Sequence, residues 1–297
     1  MPSIPDALVP ALKDRMRKMN QVPEEDPVQS ERKMMEFAGE IMDRLIRGHL
    51  KKEILPLENC QAALLTPHHE KVPGTVLYLH GGGYCTGDLE YACWFGKLIA
   101  SVVKARTFCP AYRLAPEHPF PAALEDALDA YRFLLERYPD EKICVIGESA
   151  GGGLLFALSL KLKELGLPQP AGLVALSPWT DLSLSGRSYE YNREADPSMT
   201  KEKLSIFAAD YTDAPLDPLC SPLFGDLQSL PESLLFVGGD EIMLDDTLRM
   251  YDALKAAGIK VRMTVAEGFW HAYIFYGIKS RRDDNKVICE FLRSKLS

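Results

Sequence analysis

The sequence predicts an α/β fold built on a largely parallel sheet, and three observations carry that reading. Short apolar, β-rich runs recur along the chain, longer segments with helical spacing separate them, and several of those segments end at helix-stop residues such as Gly166 and Pro168, or Gly258. Strand and helix in alternation bury a mostly parallel sheet beneath helices on both faces.

Taken in order, the first strand candidate is 62–66, then 75–80, a Thr-Val-Leu-Tyr-Leu-His run with no charge. A helical pattern at 91–103 leads to a strand at 105–109, and a second at 122–138 leads to the Ile-Cys-Val-Ile strand at 143–146. A helix at 150–165 precedes the strand 173–177, and strands at 234–237 and 261–266 bracket a helix at 245–257. A last helix spans 281–295. Two stretches break the alternation. Residues 1 to about 50 read as helix, with Met34, Met35, Phe37, Ile41, Met42 and Leu45 forming an apolar face before any strand begins. Residues 178 to about 231 are far longer than a strand-to-helix loop and contain their own helix candidate at 201–211. Long inserts at the strand ends of a sheet serve as lids or binding elements, so both stretches are assigned to a cap.

Composition narrows the function classes. The 297 residues, 46% hydrophobic and 26% charged, describe an ordinary globular chain. A formal charge of −8 lacks the basic stripe that a nucleic-acid backbone demands. The first twenty residues mix acids, bases and prolines, and no later run reaches the length of a spanning helix, so neither secretion nor a membrane partner is expected. Seven scattered cysteines without a Cys-x-x-Cys pair read as reduced, mostly buried thiols of a cytoplasmic protein.

The chemistry concentrates at Gly147-Glu148-Ser149-Ala150-Gly151. Alone, such a Gly-x-Ser-x-Gly occurs by chance in about one chain in ten of this size. Here it follows a strand and opens a helix, the context of a strained nucleophile turn. His80-Gly81-Gly82-Gly83 follows the strand at 75–79, and the same arithmetic gives it by chance in roughly one chain in several hundred. Consecutive glycines bring backbone N–H groups close to a substrate and so suit an oxyanion. No Gly-Lys-Ser/Thr accompanies them to indicate phosphate binding. A serine nucleophile needs a histidine base, and in this architecture the chain order is Ser, acid, His. His49, His68, His69, His80 and His118 precede Ser149, which leaves His271. The acid belongs at the end of a strand between them. Asp240, directly after 234–239, fits. Glu241, Asp245 and Asp246 are rivals, the last two also placed to favour the dipole of the next helix.

The motifs His80-Gly81-Gly82-Gly83-Tyr84, Tyr112-Arg113-Leu114-Ala115-Pro116-Glu117-His118-Pro119-Phe120-Pro121-Ala122-Ala123, the elbow at Ser149, Ser221-Pro222-Leu223, Asp240 and His271 resemble the bacterial hormone-sensitive-lipase-like esterases over nearly the whole chain. The resemblance implies an α/β-hydrolase fold with a helical cap at 1–50, a catalytic domain at 51–297, and a second cap element at about 183–215. It further implies a Ser149, Asp240 and His271 triad, with oxyanion donors on the amides of Gly82, Gly83 and Ala150. No metal or organic cofactor is required; the substrate is a short- to medium-chain ester, and homodimers are common in the family. One departure is visible: Glu148 stands where the family's elbow usually has Asp. A lactonase or peptidase on the same triad is the rival reading, and plant gibberellin receptors resemble this family while lacking the catalytic histidine, which this chain retains. Tyr84, Trp179, Phe269 and Trp270 are candidates either for the acyl pocket or for ordinary core.

Overall fold

The computed structural model describes residues 4–20, 26–45, 50–70 and 72–297. In chain order its main elements are α1 (Val9–Asn20), α2 (Pro27–Leu45), β1 (Leu50–Pro56), β2 (Gln61–Pro67), β3 (Thr75–Leu79), α3 (Leu89–Val103), β4 (Arg106–Ala111), α4 (Ala122–Arg137), β5 (Ile143–Glu148), α5 (Ala150–Glu164), β6 (Gly172–Leu176), α6 (Ser188–Tyr191), α7 (Lys201–Tyr211), β7 (Ser233–Gly238), α8 (Leu244–Ala256), β8 (Val261–Ala266) and α9 (Arg282–Leu296).

A strand with no polar face can be satisfied only between two covering layers, and β3, β5, β6 and β7 are buried at every position. Successive side chains alternate between those layers. Leu77, Leu79, Val145 and Leu235 pack with Tyr131 of α4, Leu154 of α5 and Met250 of α8. Val76, Tyr78, Ile146 and Phe236 pack on the other side with Phe95 of α3 and Ile288 and Phe291 of α9. The sheet runs β1-β2-β4-β3-β5-β6-β7-β8, with β1–β2 and β2–β4 antiparallel and every later pair parallel. This is the α/β-hydrolase architecture.

Strand β1 was not legible from the pattern. Leu50-Lys51-Lys52-Glu53 opens it with charge, and it pairs only with β2, at the sheet edge, where charged side chains face water and block further pairing.

Among the described residues, polar contacts tie the N-terminal helices to the rest. Arg32 of α2 donates to the Cys85 carbonyl at 2.8 Å and the Ala115 carbonyl at 2.9 Å, and grips Glu117 with both terminal nitrogens. Lys203 of α7 pairs with Glu31 of α2. Of the apolar residues counted on the α2 face, Met35 is buried, whereas Met34, Phe37 and Ile41 are exposed, and the side chains of Met42 and Leu45 lie outside the described residues. Among the described residues no helix is long and apolar enough to cross a membrane.

Candidate active site

The carboxyl ends of β3, β5, β7 and β8 meet at one rim of the sheet. Ser149 leaves β5 at φ 54°, ψ −122°, a left-handed backbone that a non-glycine residue adopts only under constraint. The constraint is visible: its N–H donates to the Leu176 carbonyl at 2.9 Å, and its carbonyl accepts from Trp179 and Gly153 at 2.9 and 3.0 Å. Gly151 makes the turn feasible, because a Cβ there would collide with the Leu79 and His80 carbonyls. Although Ser149 occupies the N-cap position of α5, its hydroxyl makes no capping bond. It is left for other work.

His271 follows β8 and its Nδ1 lies 2.6 Å from Glu241 Oε2. The carboxylate that meets the imidazole is therefore Glu241, one residue beyond the expected Asp240. At the turn after β7 the short Asp240 side chain points outward, where Lys13 of α1 holds it at 2.7 Å. Glu241 turns inward and is fully buried. Its longer chain reaches back so that Oε1 accepts from the Gly238 N–H at 2.7 Å and the Ser177 hydroxyl at 2.9 Å, leaving Oε2 for the imidazole. Asp245 and Asp246 serve elsewhere: Asp245 accepts from the Arg187 N–H at 2.7 Å, and Asp246 from the Thr180 and Asp181 N–H groups. Ser177, which the sequence did not single out, also accepts the Ala272 N–H at 3.0 Å and so joins the acid to the histidine loop. Burial works to lower the His271 pKa, but the Glu241 hydrogen bond and the Glu241 and Asp196 charges outweigh it and hold the imidazole above its ordinary value.

The glycine loop after β3 is pinned from several sides. The His80 ring, buried and stacked on Tyr112 with centroids 4.1 Å apart, places Nδ1 2.7 Å from the Gly81 carbonyl, and the Tyr112 hydroxyl donates to the His80 carbonyl at 2.7 Å. Burial pushes His80 down to about 4, so the ring is neutral and Nδ1–H is the donor. Gly82 sits at φ 109° and accepts from the Cys85 and Thr86 N–H groups. The amides of Gly82, Gly83 and Ala150 have no acceptor among the described residues. Gly82 and Gly83 border the cavity that Ser149 and His271 also line, and Ala150 directly follows Ser149 at the start of α5.

A family model described as the alpha/beta hydrolase fold matches residues 76–275, a span running from β3 past His271. An acetyl-hydrolase of Streptomyces hygroscopicus is 35% identical over 228 residues, covering 75% of this chain and 76% of its own length. An esterase of Acinetobacter venetianus is 36% identical over 202 residues, 67% of each chain. The crystal structure of an esterase from the bacterial hormone-sensitive lipase family matches with a TM-score of 0.90 at 33% identity, covering 98% of this chain and 99% of that one. The chain belongs to the bacterial hormone-sensitive-lipase-like esterases.

In this esterase the cavity beside Ser149 measures about 480 Å³. Its floor is Gly81, Gly82, Gly83, Glu148, Ser149 and His271; its walls come from α1 (Leu12, Met16), α2 (Met35), α7 (Phe207), and Phe275 and Tyr276 just beyond the histidine. None of the four aromatic residues offered by the sequence lines it. Tyr84, Trp179 and Trp270 are fully buried packing, Tyr84 stacked on Tyr211 at 3.9 Å, and Phe269 packs against Trp270 and Tyr273. Proximity in sequence to a motif marks the elements that carry the site, whereas the walls come from segments the chain brings in from a distance.

Proposed function

We propose that this esterase hydrolyses short- to medium-chain carboxylic esters with Ser149 as nucleophile, His271 as base and Glu241 as the acid that orients it. The reading rests on one observation above all: the buried Glu241 carboxylate on His271 Nδ1, at a cavity shared by Ser149, whose hydroxyl makes no capping bond to α5. Ser149 Oγ attacks the acyl carbon while its proton passes to His271 Nε2. Glu241 keeps the proton on Nδ1 and stabilises the imidazolium that forms. The oxyanion takes the free amides of Gly82, Gly83 and Ala150. The alcohol leaves with the proton from His271, and water activated by the same ring releases the acid from the acyl-enzyme.

The α1 and α2 helices and the α6–α7 segment would act as a cap, since their side chains wall the cavity. A volume of about 480 Å³, walled largely by Met, Leu and Phe, suits a ligand of modest size. Seven free cysteines fit a reducing, cytoplasmic setting. The family resemblance extends the proposal to a homodimer, which sedimentation velocity tests by sedimentation as a single species of twice the monomer mass.

The decisive experiment is Ser149→Ala assayed on 4-nitrophenyl butyrate. A turnover loss on the order of a million-fold is expected, by analogy with nucleophile removal in another serine hydrolase. Parent-like activity in Ser149→Ala would remove the assignment. A series from acetyl to dodecanoyl esters should peak at short to medium chains and fall at the long end; a rate still rising at dodecanoyl would contradict the proposed chain length.

A further inference from the structure

Glu148, the one departure from the family's usual elbow, is fully buried between the nucleophile turn and the glycine loop. Its Oε1 accepts the Gly81 N–H at 2.6 Å and the Tyr78 hydroxyl at 3.0 Å, with the Tyr91 hydroxyl at 3.4 Å. The Gly81 carbonyl is held from the opposite side by His80 Nδ1 at 2.7 Å. Gly81, just ahead of Gly82 and Gly83, is thereby held at both its N–H and its carbonyl, so the two peptide units that flank it are fixed. The fit is close as well as polar, for a Cβ on Gly81 would stand 3.0 Å from the Glu148 carbonyl and 3.1 Å from both Glu148 Oε1 and Ser149 Cβ.

We propose that Glu148 is a positioning residue that sets the register between the nucleophile and the oxyanion donors, by clasping the Gly81 N–H from the position next to Ser149. The inference rests on the reading of Gly82, Gly83 and Ala150 as those donors. Two of the three belong to the loop and one to the elbow, so their common focus exists only while loop and elbow keep a fixed relation. A run of three glycines does not fix it, because glycine populates both signs of φ with little preference. Oxyanion donors work only within hydrogen-bond distance of the charge as it develops, and a displacement of ~1 Å can cost about a hundred-fold in rate. A carboxyl attached through the backbone to the nucleophile's own residue is the shortest available strut. Its acceptor oxygen performs the task, and its charge is not needed.

That distinction supplies the test. Glu148→Ala removes the acceptor, whereas Glu148→Gln keeps an amide oxygen at the same reach and abolishes the charge. Each variant of the full chain would be assayed on 4-nitrophenyl butyrate, with amide hydrogen exchange measured over 80–87. For Glu148→Ala we expect kcat to fall about tenfold or more with KM within about twofold, since ground-state binding makes little use of the oxyanion donors. Exchange over 80–87 should accelerate. For Glu148→Gln both readouts should return close to the parent. Parent-like kcat or parent-like exchange in Glu148→Ala overturns the proposal, and so does Glu148→Gln impaired as severely as Glu148→Ala. If Glu148→Ala does not fold, Glu148→Asp takes its place: it restores the family's usual elbow and withdraws the acceptor by one methylene, so the same losses are expected, and parent-like values overturn the clasp. Should the parent hydrolyse no ester, the esterase reading fails while exchange over 80–87 still tests the clasp.

Discussion

The most informative residue is Glu241, because it separates what spacing can specify from what a turn decides. Asp240 and Glu241 are adjacent, and both follow the end of β7. One ends in an ion pair with Lys13 and the other on the imidazole of His271. Glu241→Gln keeps the shape but offers the ring an amide, and for a comparable loss of the orienting carboxylate in another serine hydrolase kcat falls about ten-thousand-fold. Asp240→Asn should change kcat less than about threefold, because a partly exposed ion pair contributes little. Equal losses in the two variants, measured as kcat on one ester, would refute this division. The same pair sets the pH dependence. The proposed base must be neutral, and His271 is held above its ordinary value, so kcat/KM should fall on acidification through an apparent pKa above about 6.5. An acid limb below that value would contradict the geometry. That Ser149 and His271 share one cavity was legible in the sequence, because chain order and a lone downstream histidine pair them. The acid was not, because which of two neighbouring carboxylates turns inward depends on reach: only the longer side chain returns to the Gly238 N–H and the Ser177 hydroxyl while still meeting the ring.

Among the elements, the α6–α7 segment holds the acid's own turn. Asn192 donates through Nδ2 to the Gly239 and Glu241 carbonyls at 3.0 and 2.9 Å, Asp196 Oδ2 accepts the Ile242 N–H at 2.9 Å, and the Ser188 hydroxyl donates to the Ile242 carbonyl at 2.6 Å. Helix α1 completes the grip: Lys13 takes Asp240, while Arg17 and Asn20 take the Ala195 and Pro197 carbonyls. The elements that wall the cavity are thus also the elements that keep Glu241 in place. Asn192→Ala strips two carbonyls of their donor at a cost of about 1–3 kcal/mol each if they stay dry. It should lower kcat about tenfold and move the acid limb of kcat/KM downward as the Glu241–His271 bond loosens. An unchanged limb together with parent kcat would show the grip to be packing alone. Periodicity exposed the strands from β2 onward and α3, α4, α5, α7, α8 and α9 to within a few residues, since their apolar faces are continuous. It missed β1, whose Lys51, Lys52 and Glu53 suit an edge, and it could not foresee this grip, whose partners lie 46 to 49 positions apart at Asn192 and Asp196 and 227 at Lys13.

Across the whole molecule, stability and catalysis draw on pH in opposite directions. Burial, aided by the Asp181 charge, pushes the Asp246 carboxyl up to about 8, and burial, opposed by the Gly81 N–H, pushes Glu148 up to about 8 as well. In the unfolded chain both would titrate near 4. Between about 4 and 8 these two carboxyls therefore hold more protons in the folded state than in the unfolded one, and their contribution to stability falls as pH rises through that window. Buried His80, which is brought down to about 4, opposes them, with the reverse sign up to about 6.5. His271, raised in the fold, has the same sign: what it contributes is lost above its folded value. Glu117, brought down to about 2 chiefly by its hydrogen bond to Arg32, has the opposite sign, contributing stability that is present at neutral pH and lost on strong acidification. Its carboxylate is exposed, so solvent weakens that contribution. The urea midpoint of the parent should accordingly decline from pH 5 to pH 8, and Asp246→Asn, which cannot ionise, should flatten the decline. A midpoint that rises over this range, or an Asp246→Asn curve parallel to the parent's, would mean that the buried carboxyls are relieved by contacts other than those around Thr180, Asp181 and Tyr189. As the proposed base, His271 needs the upper part of the same range to be neutral, so turnover should improve with pH while the fold weakens, and the pH at which total product over a long incubation is greatest should lie below the pH of the highest initial rate.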